Sequence, residues 1–121
     1  MSTDRLPHLA ALQALGQLQA GWQDGEGLAL NRVALDRLAL LFRHYDRSLP
    51  CPYVYPTLDG GVRLEWSLGA WEVSLDLSLA TFEAELHAVN VHTQACQEQA
   101  LSLASRDGWI QLNATLAQLV A

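Results

Sequence analysis

Three consecutive stretches of alternation constrain this chain more than any other feature. In Val62-Arg63-Leu64-Glu65-Trp66, in Trp71-Glu72-Val73-Ser74-Leu75-Asp76-Leu77 and in Phe82-Glu83-Ala84-Glu85-Leu86-His87-Ala88, apolar side chains alternate with polar ones. Period two is the signature of strands with one face in a core and the other in water. The breaks around Leu68-Gly69 and Leu79-Ala80 are short enough to force antiparallel hairpins, so the pattern predicts a meander with one apolar face. Such a face needs a cover.

The flanks supply one. Leu6, Leu9, Leu12, Leu15 and Leu18 predict a helix from about 4 to 20, capped by Thr3 or Asp4, with Pro7 in its first turn. After a glycine-rich break, Asn31 is placed to cap a second helix from about 32 to 48, with Leu35, Leu38, Leu41, Phe42 and Tyr45 on one side. Leu49-Pro50-Cys51-Pro52 ends the helical region, and Tyr53 to Pro56 reads as an edge strand, where a missing amide is tolerated. Between Asn90 and Ala104 the signal is mixed. Gln99 to Ala104 alternates and reads as a strand, whereas HTQACQEQAL also fits a helix. Asp107 can cap a last helix with Trp109, Leu112, Leu116, Leu119 and Val120 along one stripe. The expected fold is one α+β domain over 1–121: two N-terminal helices, an antiparallel meander of four to five strands and a C-terminal helix, with the helices on one sheet face.

At 121 residues the chain can bury a core without metals or disulfides. Cys51 and Cys96 are therefore expected to be free thiols in a cytoplasmic protein, since no signal peptide or long apolar segment is visible. The net charge of −6 is lopsided. Residues 1–50 carry five arginines and five acids, and residues 51–121 carry two arginines and eight acids. Such a C-terminal half repels phosphate backbones and disfavours nucleic acid as a partner.

Keeping the apolar face together pairs Trp66 with Trp71 and Leu64 with Val73, which sets Glu65 opposite Glu72. The same rule for the next hairpin pairs Leu77 with Phe82, sets Asp76 against Glu83 and places His87 against Glu72. Five carboxylates, Glu65, Glu72, Asp76, Glu83 and Glu85, then share the polar face with Arg63 and His87. Like charges directly across a sheet cost a few tenths to about 1 kcal/mol, so this face is either well solvated or complementary to a cation. A metal or acid/base site there would need burial to shift a carboxylate strongly.

Other constellations are weaker. His87, His92 and Cys96 have no established zinc spacing, and no serine sits in a Gly-x-Ser-x-Gly context. The segment GWQDGEG matches neither the phosphate loop nor the dinucleotide fingerprint, so no cofactor is implied. It reads as an interhelical loop that pins Trp22 to the core, or as a recognition loop presenting Trp22, Asp24 and Glu26. The pair Trp22-Gln23-Asp24-Gly25-Glu26-Gly27 and Tyr55-Pro56-Thr57-Leu58-Asp59-Gly60-Gly61-Val62-Arg63-Leu64-Glu65-Trp66 resembles a set of small prokaryotic proteins. In that set a WDGxGA-like segment precedes a PTPxGGVQLEW-like hairpin. The resemblance covers about residues 20–79 and implies the fold without an assigned activity. This chain departs from it with Gln23 before the acid, Leu28 for the small residue, Leu58 for the second proline and Arg63 for glutamine.

The reading these residues support is a non-catalytic, acidic, protein-binding module of the inhibitor, antitoxin or immunity type. Its partner would be a protein, a basic one by charge, with no membrane involved. The candidate contact residues are Arg63, Glu65, Glu72, Asp76, Glu83, Glu85 and His87. A homo-oligomeric scaffold, in the simplest case a homodimer, is the second reading, and a metal-dependent enzyme using the carboxylates is the third.

Overall fold

A computed structural model describes residues 7–121, with side chains from Ala10 onward. The elements follow in the order α1 (Pro7–Leu15), α2 (Arg32–Leu41), a 3-10 turn (Phe42–His44), β1 (Tyr53–Pro56), β2 (Val62–Leu68), β3 (Trp71–Leu77), β4 (Glu83–Asn90), β5 (Cys96–Ser102) and α3 (Arg106–Val120). All five strands join one antiparallel sheet in sequence order, β1-β2-β3-β4-β5. The fold is α+β, with a five-stranded meander and a C-terminal helix.

Alternation sorts the strand residues into two faces. Val62, Leu64, Trp66 and Leu68 of β2, Val73, Leu75 and Leu77 of β3, and Ala84, Leu86 and Ala88 of β4 are all buried. They form one cluster with Leu12 and Leu15 of α1, Leu35 and Leu38 of α2, and Trp109, Leu112, Leu116 and Leu119 of α3. No helix of the described residues is long and apolar enough to cross a membrane.

The early helices are shorter than their apolar periodicity predicts. The proposed Thr3 or Asp4 cap lies outside the described residues. At its other end α1 stops at Leu15, where Gly16 begins a change to bonds three residues apart, with Gln17 N–H to Ala14 O at 3.1 Å and Leu18 N–H to Leu15 O at 3.2 Å. Asn31 caps α2 as expected, its side-chain oxygen accepting from Ala34 N–H at 3.0 Å. That helix gives way to the 3-10 turn well before 48 because other groups take over its last backbone bonds. Asn113 of α3 donates to His44 O at 2.8 Å and accepts from Asp46 N–H at 3.1 Å. The Asp46 carboxylate accepts from the Ser48 amide and hydroxyl, a local alternative to helix that also holds its pKa below the ordinary value.

Tyr45 leaves this corner pointing inward. Its hydroxyl donates to Pro50 O and accepts from Trp66 Nε1–H at 2.9 Å, and burial pushes its pKa up to about 12. Hydrogen bonding at both ends of the link lets a phenol and an indole sit in the core without a desolvation cost.

Residues 96–102, ambiguous by pattern, form strand β5. Its exposed and intermediate positions outnumber its single buried one, Leu101, which is why alternation there was faint. Ser105 occupies the cap position of α3 in extended conformation but makes no side-chain capping bond, and Asp107, the expected cap, lies inside the first turn. An acid there favours the positive end of the helix dipole. Gly108 is indispensable to this start. A Cβ on it would lie 1.6 Å from the Ser102 carbonyl oxygen, so α3 can cross the end of β5 only without a side chain at that position. The next residue, Trp109, donates through Nε1 to Leu103 O at 3.0 Å.

Candidate functional site: the polar face of the sheet

The register differs from the expected one by two residues in both central hairpins. Trp66 faces Val73, Leu64 faces Leu75 and Arg63 faces Asp76; Leu75 faces Leu86, Asp76 faces Glu85 and Ser74 faces His87. The cause lies in the turns. Between β2 and β3 the loop is only Gly69-Ala70, with Gly69 at φ +60°, the two-residue hairpin with glycine first. Between β3 and β4, Phe82 belongs to the loop and not to the strand. A two-residue slip leaves every side chain on its face, so the predicted face survives while its neighbours change.

Those changes remove both expected repulsions and create a different one, Asp76 opposite Glu85. Glu65 lies opposite Ser74, not Glu72, and Glu72 lies opposite Ser67, whose hydroxyl donates to it at 2.6 Å. Arg63 grips Asp76 with two bonds, Nε at 2.7 Å and Nη2 at 3.2 Å. The hydrogen bond to Asp76 and that carboxylate's charge raise the pKa of Arg63 above its ordinary value. With both side chains about half exposed, 45% and 41%, such a pair contributes about 0.2–1 kcal/mol. Glu83 faces Ser102, not Asp76. His87, expected beside Glu72, stands between Glu85, 3.8 Å from Nε2, and Glu98, 3.4 Å from Nδ1.

Glu98 enters the face because β5 exists and pairs with β4, setting His87 opposite it. Two tyrosines join from the other side. Tyr53 pairs with Glu65 and Tyr55 with Arg63, and both rings are exposed. Neither tyrosine nor Glu98 was singled out from sequence, although the parity of Tyr53-Val54-Tyr55-Pro56 already assigns both rings to the Arg63 and Glu65 side.

The face is concave at one end. A groove of about 870 Å³ is lined by Leu58, Asp59, Arg63, Asp76, Glu83 and His87, among others. Its rim is the turn between β1 and β2. There the Thr57 hydroxyl donates to Asp59 Oδ1 and accepts from Gly61 N–H at 2.8 Å, and the bond from Thr57 lowers the pKa of Asp59. Gly60 has φ +85°, as expected of a hairpin glycine, but Gly61 does not. Gly61 is needed because a Cβ would come within 2.7 Å of Leu77 O.

The two glycine-rich segments meet at this rim, where Leu28 N–H donates to Leu58 O at 2.9 Å. Asp24 (φ +50°) and Gly25 (φ +90°) turn a miniature hairpin in which Gln23 and Glu26 bond to each other through both backbones at 2.8 Å. Trp22 is not pinned to the core. Its indole lies over Gly27, where a Cβ would be 2.6 Å away, and its Nε1 donates to Leu28 O at 2.9 Å. The ring thus closes its own loop, and Asp24 and Glu26 are left exposed.

Cys51 and Cys96 are free and exposed. Among the described residues, no group of three or more His, Cys, Asp or Glu side chains is arranged to hold a metal ion. No protein-family model, curated protein or solved structure matches the chain.

Proposed function

We propose that the protein is a non-catalytic binding module that takes a cationic segment of a protein partner onto the polar face of its sheet. The observation that carries this reading is a charge imbalance. Six carboxylates, Glu65, Glu72, Asp76, Glu83, Glu85 and Glu98, share the face, and its one guanidinium, Arg63, is already held by Asp76. A lysine- or arginine-bearing segment would supply the missing countercharge. Tyr53 and Tyr55 offer ring faces at the β1 side against which a cationic side chain can rest.

The test compares two charge-reversed proteins of equal net charge as baits in the native host. One carries Glu65→Lys and Glu72→Lys; the other carries Asp36→Lys and Asp107→Lys, on helices away from the polar face. Captured proteins are identified by mass spectrometry, with circular dichroism confirming that both baits fold. The first bait is expected to lose a basic partner that the wild type and the second retain. Identical captures by all three would remove the reading.

A further inference from the structure

The two edges of the sheet are built differently, and the difference lies in the backbone. Thr57 N–H bonds to Gly61 O at 3.0 Å across the β1–β2 pair, which fixes the odd residues of β1 as those facing β2. In an antiparallel ladder the alternate residues point their amides away, so the outward positions along this edge are 52, 54 and 56. Two of these are Pro52 and Pro56, which have no amide to offer. Proline on an edge is a standard block to strand addition.

Along β5 the same reasoning gives the opposite result. Leu103 N–H bonds to Phe82 O and Asn90 N–H to Ala95 O, each at 2.8 Å, so odd residues of β5 face β4. Cys96, Glu98 and Ala100 therefore direct their amides and carbonyls outward. This edge has no proline or lysine, and Glu98 is its one charge. Its flank is neutral too. Helix α3 runs back along β5, with Gly108 on Ser102 and Thr115 bonded to Gln99 at 2.7 Å, and from Gly108 to Ala121 it has no charged residue. In a chain of net charge −6, this is where like molecules can approach.

We infer that β5 pairs with β5 of a second copy of this chain in antiparallel register about a two-fold axis. Antiparallel edges are self-complementary under such an axis, whereas addition of β5 to β1 of another copy meets the prolines. Centring the axis on Gln99 sets Glu98 of each copy beside Ala100 of the other. Centring it on Glu98 would oppose the two carboxylates, which is unfavourable. The first register also keeps Ser102, whose carbonyl is covered by Gly108, out of the central pairs. Both polar faces then lie on one side of a continuous sheet, and the neutral flanks of α3 lie beside each other. This association is independent of the partner reading above and stands or falls separately.

Light scattering on the full chain, from low to high micromolar concentration, is expected to rise to about twice the 13.3 kDa chain mass. Ala100→Pro removes an outward amide that the chain's own sheet does not use, and is expected to restore the monomer mass with an unchanged circular dichroism spectrum. A monomer at every concentration, or a folded Ala100→Pro protein that still dimerises, overturns the inference. Should that variant not fold, Gln99→Cys in a Cys51→Ser, Cys96→Ser background decides. Opposed residues at a non-hydrogen-bonded position lie close enough for a disulfide. Mild oxidation should give a covalent dimer, and its absence counts against the pairing.

Discussion

Between β3 and β4 the chain turns through Leu79, Ala80, Thr81 and Phe82; between β4 and β5 it turns through Val91, His92, Thr93 and Gln94. Apart from a second amide accepted by Asn90, that of Thr93, the hydrogen bonds within the two loops coincide. Phe82 N–H bonds to Ser78 O at 2.8 Å and Gln94 N–H to Asn90 O at 2.7 Å; Ser78 N–H bonds to Glu83 O at 3.0 Å and Asn90 N–H to Ala95 O at 2.8 Å. Ser78 and Asn90 each accept from the amide two residues on, and Thr81 and Thr93 each do the same for Glu83 and Ala95. Even the fourth loop residue matches, with Phe82 at φ +61° and Gln94 at φ +63°. What differs is burial. Leu79 and Phe82 are in the core, Phe82 2% exposed beneath the Arg37 guanidinium at 4.6 Å, whereas Val91 is 56% exposed and Gln94 lies in solvent. Small polar residues set the path of a turn; the apolar residues it carries decide whether it docks. A phenylalanine in the left-handed region is strained, and here its packing offsets the strain.

Substitutions can separate these contributions, with urea unfolding midpoints as the measure. Phe82→Ala should cost the most, about 3–5 kcal/mol, as a fully buried aromatic is lost. Phe82→Gly should cost about 0.5–1 kcal/mol less than Phe82→Ala, because glycine accepts the positive φ that alanine resists. The reverse order would show that strain at this position is negligible. Asn90→Ala should lose about 1 kcal/mol, since its Oδ1 accepts from two amides, His92 at 2.9 Å and Thr93 at 3.1 Å. Ser78→Ala, which frees one amide bonded at 3.2 Å, should lose about half of that. Last, Gln94→Gly should stabilise by a few tenths to about 1 kcal/mol, having strain to relieve and no packing to lose. A destabilised Gln94→Gly protein would mean that the exposed loop has contacts comparable to those of Phe82.

Alternation makes the sheet and its faces legible in the sequence, because parity alone assigns Leu64 to the core and Glu65 to solvent. Register was not legible. It depends on where each turn begins, and the two-residue Gly69-Ala70 loop and the recruitment of Phe82 into a loop are choices that apolar patterning does not record. The correct ion pair, Arg63 with Asp76, was missed for that reason alone. Strand β5 was faint because an edge strand buries little, and Glu98 was lost with it. Helix α2 was overextended because its end is set by Asn113, a residue that local periodicity cannot weigh.

That distant clamp has a consequence in time. Sheet contacts in this chain join neighbours in sequence, so each hairpin can form as soon as its residues exist. The end of α2 cannot be completed so early. The His44 carbonyl and the Asp46 amide wait for a side chain 69 and 67 residues further along. During synthesis the meander can therefore assemble before α3 covers it, and the α2 corner is sealed only when α3 arrives. A chain ending at Ser105 is expected to keep strand signal in circular dichroism while losing a single sharp unfolding transition; a fully cooperative transition in that fragment would show that the clamp is dispensable.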